Sequence, residues 1–573
     1  MSSKKSSERK SHIAYFSMEI GFKSQIPTYS GGLGVLAGDT LKSAADLELP
    51  VVGVSLVYHK GYFKQKIDKA GRQIEEPVKW NPDKEFTKVN KTVTVEINGK
   101  KVNVSAYRYD LVGVTGHVVP LFFLDTNLKS NSKEHRELCD YLYGGDVNYR
   151  LSQEIVLGMG GIALLEELGY KAEPKDGTNG VTTYHMNEGH ASLLTMGLLK
   201  VRLGRKTLSH ATSDDFSWVK ERCVFTTHTP VPAGHDVFSQ DLAEELLSPD
   251  TVSALKKAKV LHKTGLNMTV LALTFSRHVN GVAKRHGEVS REMFPKYKIT
   301  AITNGIHAAS WVSKPFAALF DRELPAWREN NFKFRDMLDV PLDRIDKAHA
   351  ESKKILLSEV RARTGAKFDP NVFTIGFARR AATYKRADLL LHDVKRLIKI
   401  ADRFGGIQII YSGKAHPKDM GGKELIEKVV KGSKHLAGSK IKLTYLEDYN
   451  MELGRLITTG VDLWLNNPIK PLEASGTSGM KAALNGVPNF STLDGWWVEG
   501  HIENATGWEI MDPWDGMKNK TGKDDRKAAA NSLYEKLEKI ILPLYYKNYN
   551  EYLKIMRQSI ALNGSYFNTH RMV

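Results

Sequence analysis

The chain has 573 residues, 82 Lys and Arg against 65 Asp and Glu, a formal charge of +17 and a hydrophobic fraction of 41%. That length exceeds what one hydrophobic core serves, so two or three domains are expected, and no apolar run is long enough to span a bilayer. The basic residues are spread along the chain with no basic repeat and no nucleic-acid-binding motif, which argues against a nucleic-acid partner and leaves the excess charge to solubility and to small anionic substrates.

The opening MSSKKSSERKSH is basic and lacks the apolar core of a secretory signal, so a disordered tail over residues 1–12 and a cytoplasmic location are expected. Cys139 and Cys223 fit a reducing compartment and lie in no metal-ligand spacing; they read as small buried apolar residues. Ile13 to Ile20 reads as a buried strand containing Glu19, and Gly31, Gly32 and Gly34 then open a helix that ends before Pro50. Glycines at that place let backbone approach an anion at the positive end of a helix dipole, although GGLG is equally the sequence of a tight turn. Val51 to Tyr58 is a further strand, and Thr92 to Tyr109 a hairpin turning at Asn98-Gly99. Val118 to Leu124 is strand-like, and a long amphipathic helix is expected from Leu151 to Leu168.

Two strand-to-loop junctions follow, Val181 to Met186 before NEGHASLL and Cys223 to Thr227 before HTPVPAGHD, carrying His190, His228 and His235. None has a metal-ligand spacing such as H-E-x-x-H, so they read as hydrogen-bonded spacers, and no metal is expected. Alternation lapses between Pro315 and Trp327, which places a domain boundary near 325 and gives domains over 13–325 and 326–573.

In the second half, helical patterns from Asp343 to Thr364 precede a strand over Val372 to Phe377. ARRAATYKRADLLL then sets Arg379, Arg380, Lys385 and Arg386 within eight residues. Cations so close repel one another unless they face solvent or share anions. Strands over Ile407 to Ser412, Ile441 to Leu446 and Val461 to Leu465 alternate with helices, the pattern of a covered parallel sheet, and the chain beyond Asp525 reads as amphipathic helix. PLEASGTSGMKAALNG, from Pro471 to Gly486, packs Glu473, Ser475, Gly476, Thr477, Ser478 and Lys481 into nine residues. Small residues before a helix from Gly479 make an anion site, with Lys481 in the first turn, where an amine of lowered pKa could form a Schiff base. A plain strand-to-helix loop with an ordinary surface lysine fits the spacing as well.

E-A-S-G-T-x-x-M-K resembles the pyridoxal-phosphate attachment segment of the glycogen and α-glucan phosphorylases, and the likeness continues through LNG and LDGWWVEG and covers most of the chain. Ser478-Gly479 before Met480, and the total length, are similar to the short bacterial and archaeal branch. The resemblance implies pyridoxal 5′-phosphate held by Lys481 as a Schiff base. Its phosphate would meet Thr477, Ser478 and Arg379, with Gly31 and Gly32 close to it or to the substrate phosphate, and Tyr449 would pack on its ring. It implies sugar contacts from Glu473, from the Ser475 and Gly476 backbone, and from Tyr384, His278, His228 and Asp146. Arg380 and Lys385 would hold orthophosphate. Arg379 stands where longer relatives carry lysine, and Val147 where animal enzymes carry asparagine, in a shorter gating loop that also contains Arg150.

The implied architecture is α/β, two Rossmann-like domains facing across a cleft in the arrangement of GT-B glycosyltransferases, with the C-terminal helices packing back on the first domain. The implied activity is reversible phosphorolysis of α-1,4-glucan or maltodextrin to α-D-glucose 1-phosphate with retention. A glycosidase would need two flanking carboxylates, and only Glu473 is well placed. The alternatives are a nucleotide-sugar-dependent glucan synthase on the same plan and a catalytically silent glucan-binding protein. By analogy a homodimer is expected, and the short N-terminal tail predicts no response to AMP.

Overall fold

The computed structural model describes residues 11–174, 179–511 and 526–573. The chain divides into two units. The first takes the chain up to Tyr62, Pro77–Gly281 and Ser290–Thr300, and the second takes Phe63–Glu76, Val282–Val289 and Ala301–Val573.

The first unit is built on strands β1 (Ser11–Ser17), β2 (Val51–Leu56), β3 (Lys100–Val112), β4 (Val118–Asp125), β5 (Asn179–Asn187), β6 (Cys223–Thr226) and β7 (His278–Gly281). They lie in the order β7-β6-β5-β1-β2-β4-β3. Every pairing is parallel except that of β3 with β4. Parallel strands are covered on both faces, which is why VVGVSL of β2 is apolar without alternation and buried at every position. Leaving out the antiparallel β3, the order is that of a doubly wound sheet, three strands running out one way from β1 and three the other way from β5. Helix α1 (Gly32–Asp46) connects β1 to β2. The strand Val93–Ile97 pairs with β3 across Asn98-Gly99, both at positive φ (50° and 66°), as a two-residue turn of this hand requires.

The second unit carries β8 (Thr374–Ala378), β9 (Ile407–Ser412), β10 (Ile441–Leu446), β11 (Leu463–Asn466), β12 (Asn489–Ser491) and β13 (Gly507–Glu509) in the order β10-β9-β8-β11-β12-β13. All five pairings are parallel. The order again reverses once, between β8 and β11. At their amino ends these two strands are bolted to a long helix, Leu342–Thr364, by a buried cluster. Lys353 Nζ and His349 Nε2 lie 2.6 and 2.9 Å from the Asp462 carboxylate, which also accepts from Thr374 N–H at 2.7 Å. The carboxyl ends are left to loops.

Both units therefore have the Rossmann-like α/β topology expected from the alternating pattern. Several details differ. Ser11 and His12, expected in the tail, are in β1; residues 1–10 lie outside the described residues. The division falls at Thr300/Ala301 and not near 325, and Lys314–Glu323, where the sequence pattern lapses, is a helix of the second unit. The helices from Arg526 onward lie in the same unit as Thr303, Asn304 and Ile306, which Arg571 and Asn568 contact and which a boundary near 325 would count with the first domain. The long helix after Asp146 is two helices, α2 (Val147–Ile155) and α3 (Gly161–Glu167), flanking a π-helical turn at Val156–Gly160. A Cβ on Gly158 would stand 2.5 Å from Leu194 N, and one on Gly161 2.5 Å from the Phe16 ring, so the glycines serve close packing at that interruption.

The hairpin Lys64–Ile67/Gln73–Glu76 was not foreseen. Its alternation around Asp68 to Gly71 was a readable signal. It belongs to the second unit because Gln65 and Gln73, both buried, hydrogen-bond each other at 2.8 Å and reach the carbonyls of Gly413 and Ala415. Cys139 and Cys223 are buried free thiols, and burial pushes Cys139 up to about 12. Among the described residues no helix is long and apolar enough to cross a membrane.

Candidate active site

Ligands in doubly wound folds bind at the carboxyl ends of the strands where the order reverses. In the second unit that point lies between β8 and β11, and the loops leaving these strands carry the two motifs singled out in the sequence. Arg379 and Arg380 follow β8; Asn467 to Gly476 follow β11 and lead into helix α4 (Thr477–Leu484). The loops are stitched together through Arg386, which is 1% exposed. It donates to the carbonyls of Asn467 and Pro468 at 2.8 and 3.0 Å, while Asn467 Nδ2 donates back to its carbonyl at 2.7 Å. One of the four clustered cations is thus a structural staple.

Glu473 is the centre of the remaining charges. Its Oε2 pairs with Lys385 Nζ and lies 3.4 Å from Arg379 Nη2, with all three side chains buried. Burial opposes ionisation of Glu473, but the Lys385 ammonium and the Arg379 guanidinium outweigh it and hold the carboxyl below the usual range. Lys385 also lies over the Tyr384 ring, 4.6 Å from its centroid. Arg379 Nε and Nη1 are buried without a hydrogen-bond partner in the protein, as are Ser475 Oγ and Ser478 Oγ. Buried polar atoms of this kind cost stability unless a ligand satisfies them, and donors at a helix start call for an anion. Arg380 is exposed at the loop surface.

Helix α4 begins at Thr477, capped by Gly476 in the left-handed region (φ 93°), and not at Gly479. Lys481 is consequently its fifth residue, one turn beyond the helix start, which removes the proximity to the dipole end expected from the sequence. Its environment is aromatic instead: Nζ stands 3.4 Å from the centroid of the Trp311 ring. Trp311 was not anticipated, since nothing in the sequence marks a contact across 170 positions. Tyr449, after β10, is driven up to about 12 by burial, against the nearby Arg379 charge. Asp494, also missed, is pushed up to about 7 by burial, and its Oδ2 accepts from Glu473 N–H at 2.8 Å.

Gly31, Gly32, Asp146, His228 and His278 belong to the first unit. There the switch point lies between β1 and β5. Glu19, after β1, accepts from Ser30 N–H at 2.6 Å, Gly31 N–H at 3.3 Å and Tyr143 Oη at 2.8 Å, so a carboxylate of the chain itself already meets the glycine loop. Glu188, after β5, has φ 74° and accepts from His228 N–H at 2.8 Å. His228 Nε2 lies 2.6 Å from Asn187 Oδ1, and His235 Nδ1 2.8 Å from Thr269 Oγ1, which agrees with a spacer role. His190 Nε2 lies 2.9 Å from Arg150 Nη2; Arg150 pairs with Asp236 and Glu154 and covers the Tyr143 ring. Asp146 is exposed and caps α2, accepting from Tyr149 N–H at 2.9 Å. His278 opens β7, opposite Val224 in β6, and so sits toward the amino ends of the strands, away from the edge that carries His228. The register separates these two.

Two sheets whose strand order reverses once, with cations, unsatisfied donors and an aromatic-backed lysine at the strand ends of the second, define a doubly wound α/β protein. The family model for carbohydrate phosphorylases matches residues 28–119 and 248–544. A maltodextrin phosphorylase of Thermococcus litoralis is 38% identical over 98% of this chain and 69% of its own length. A glycogen phosphorylase of Mycobacterium tuberculosis is 36% identical over 93% of this chain and 66% of its own, and one of Aquifex aeolicus 33% identical over 98% and 85%. The chain thus spans about two thirds of the first two relatives. It belongs to the carbohydrate phosphorylase family.

Proposed function

We propose that the chain is a pyridoxal-phosphate-dependent α-1,4-glucan phosphorylase, releasing α-D-glucose 1-phosphate from glucan or maltodextrin with retention at the anomeric carbon. The observation that carries the reading is the Arg379 guanidinium, buried with two of its nitrogens unsatisfied, in the same loop cluster as the unsatisfied Ser478 hydroxyl and Lys481. These residues fit a phosphate-bearing aldehyde. Lys481 supplies the amine, and Arg379, Ser478 and Thr477 the phosphate contacts. Bound there, pyridoxal phosphate supplies a phosphate group whose second pKa, near ~6, suits proton exchange at neutral pH.

The chain's own residues do the rest. Arg380 and Lys385 hold orthophosphate so that its proton passes to the leaving glycosidic oxygen as the bond to C1 breaks. The same cations keep the resulting phosphate against the oxocarbenium-like glucosyl unit, and a new C1–O bond to phosphate forms on the face that was left. Glu473 and the Ser475 and Gly476 amides orient the sugar. Glu473 pairs with Lys385, so substrate phosphate meets a cation already positioned.

The test is absorbance of the purified protein beside Lys481→Ala prepared identically, followed by assay of maltodextrin and phosphate for glucose 1-phosphate. A cofactor band lost in the variant, with product formed only by the parent, is expected. If no band forms after incubation with pyridoxal phosphate, the reading fails and nucleotide-sugar donors become the substrates to try.

A further inference from the structure

Asp494 has no part in the scheme above, yet it touches the loop that carries the sugar contacts. It follows β12, is 2% exposed, and its Oδ2 accepts from Glu473 N–H at 2.8 Å while Oδ1 accepts from Gly495 N–H at 2.9 Å. Two residues on, Trp496 N–H donates to the Ser475 carbonyl at 2.9 Å. Gly495 adopts φ 55°, and a Cβ there would stand 2.4 Å from the same carbonyl oxygen. Residues 494–496 therefore clasp the backbone of 473–475 from beneath, at a distance only glycine permits.

We propose that Asp494 is a positioning residue: its carboxylate locks the Glu473 backbone, and thereby sets where the Glu473 carboxylate and the Ser475 and Gly476 amides meet a bound hexose. The inference rests on the phosphorylase reading. The lock is also a titratable one. Burial raises the Asp494 carboxyl most, the Glu473 charge raises it further, and the two backbone N–H groups and the Lys385 ammonium lower it, leaving it at about 7. Above that pH both oxygens accept, and the loop is held. Below it one oxygen carries a proton and has become a donor, so the clasp loosens and sugar affinity falls.

A neutral probe isolates this effect from the ionisation of orthophosphate. D-Glucose binding to the cofactor-loaded protein is measured by titration calorimetry from about pH 6 to about pH 8, in buffers of different ionisation heat. The parent is expected to bind about tenfold more weakly at the acid end, the scale of one charge-assisted hydrogen bond, and to release protons on binding there. Asp494→Asn is expected to bind about tenfold more weakly at the alkaline end and with no pH dependence, and Asp494→Glu to restore that dependence. Parent-like affinity and pH profile in Asp494→Asn would overturn the proposal. So would a parent that binds glucose with no proton release, a result that needs no variant to fold. Glucose 1-phosphate formation by the parent, run alongside, separates the two readings: no product sinks phosphorolysis itself, whereas product without proton linkage sinks only the role of Asp494.

Discussion

Lys385 and Glu473 form an ion pair in which each side chain is 7% exposed. The pair joins the cation proposed for phosphate to the carboxylate proposed for sugar. A buried pair gains little over an apolar one, but removing one partner leaves the other charge uncompensated. Glu473→Gln is therefore expected to destabilise folding by about 3 kcal/mol, read from the urea midpoint, and to raise KM for glucan. An unchanged midpoint would mean that Lys385 finds another counter-charge without moving.

Arg379 is expected to govern cofactor retention. With Nε and Nη1 buried and unsatisfied, Arg379→Met should weaken pyridoxal phosphate binding about ten- to hundredfold, read by absorbance after dialysis. Arg379→Lys should fall between, since a point charge replaces two of the fork's donors. Equal retention in Met and Arg forms would place the cofactor phosphate elsewhere.

Gly413 follows β9 at φ 156°, where a Cβ would stand 2.1 Å from the Arg379 carbonyl oxygen. Gly413→Ala should push the Arg379 backbone aside, costing about 2 kcal/mol of stability and lowering cofactor retention with it. Stability lost without any change in retention would show that the Arg379 side chain tolerates the shift.

Glu154 is fully buried beside Asp236 and Arg150. Burial and the Asp236 charge push its carboxyl well above the usual range, against the Arg150 charge, which favours a proton on Glu154 facing Asp236. Its folded pKa exceeds the unfolded value of about 4.3, so its contribution is complete below that pH and is lost as pH rises through the folded value. Glu154→Gln keeps a donor toward Asp236 and does not titrate. Urea unfolding should show a shallower decline in stability with rising pH for the variant. Parallel profiles would refute the shared proton.

The site was legible where its chemistry is local. Arg379, Lys385, Glu473, Ser478 and Lys481 lie in two short stretches after strands, and the structure brings Arg379, Lys385 and Glu473 into contact. Arg386, one of the four clustered cations, is a buried staple, since spacing does not reveal which cation turns inward. Trp311, Asp494 and the attachment of Gln65 and Gln73 to Gly413 and Ala415 escaped because each joins separate segments of the chain, whereas the hairpin itself carries a local pattern.

By itself the sequence determined the α/β class, β1 to β6 and β8 to β11 but not β7, β12 or β13, and the loop that defines the family, because apolar runs, glycine turns and clustered polar residues are properties of neighbouring positions. The tertiary structure alone decided that α4 starts at Thr477 and sets Lys481 beyond its first turn, that His278 lies away from the edge carrying His228, and that Asp494 holds Glu473. Those outcomes depend on register and burial between segments far apart in the chain, where desolvation and packing, not local pattern, choose among the partners available.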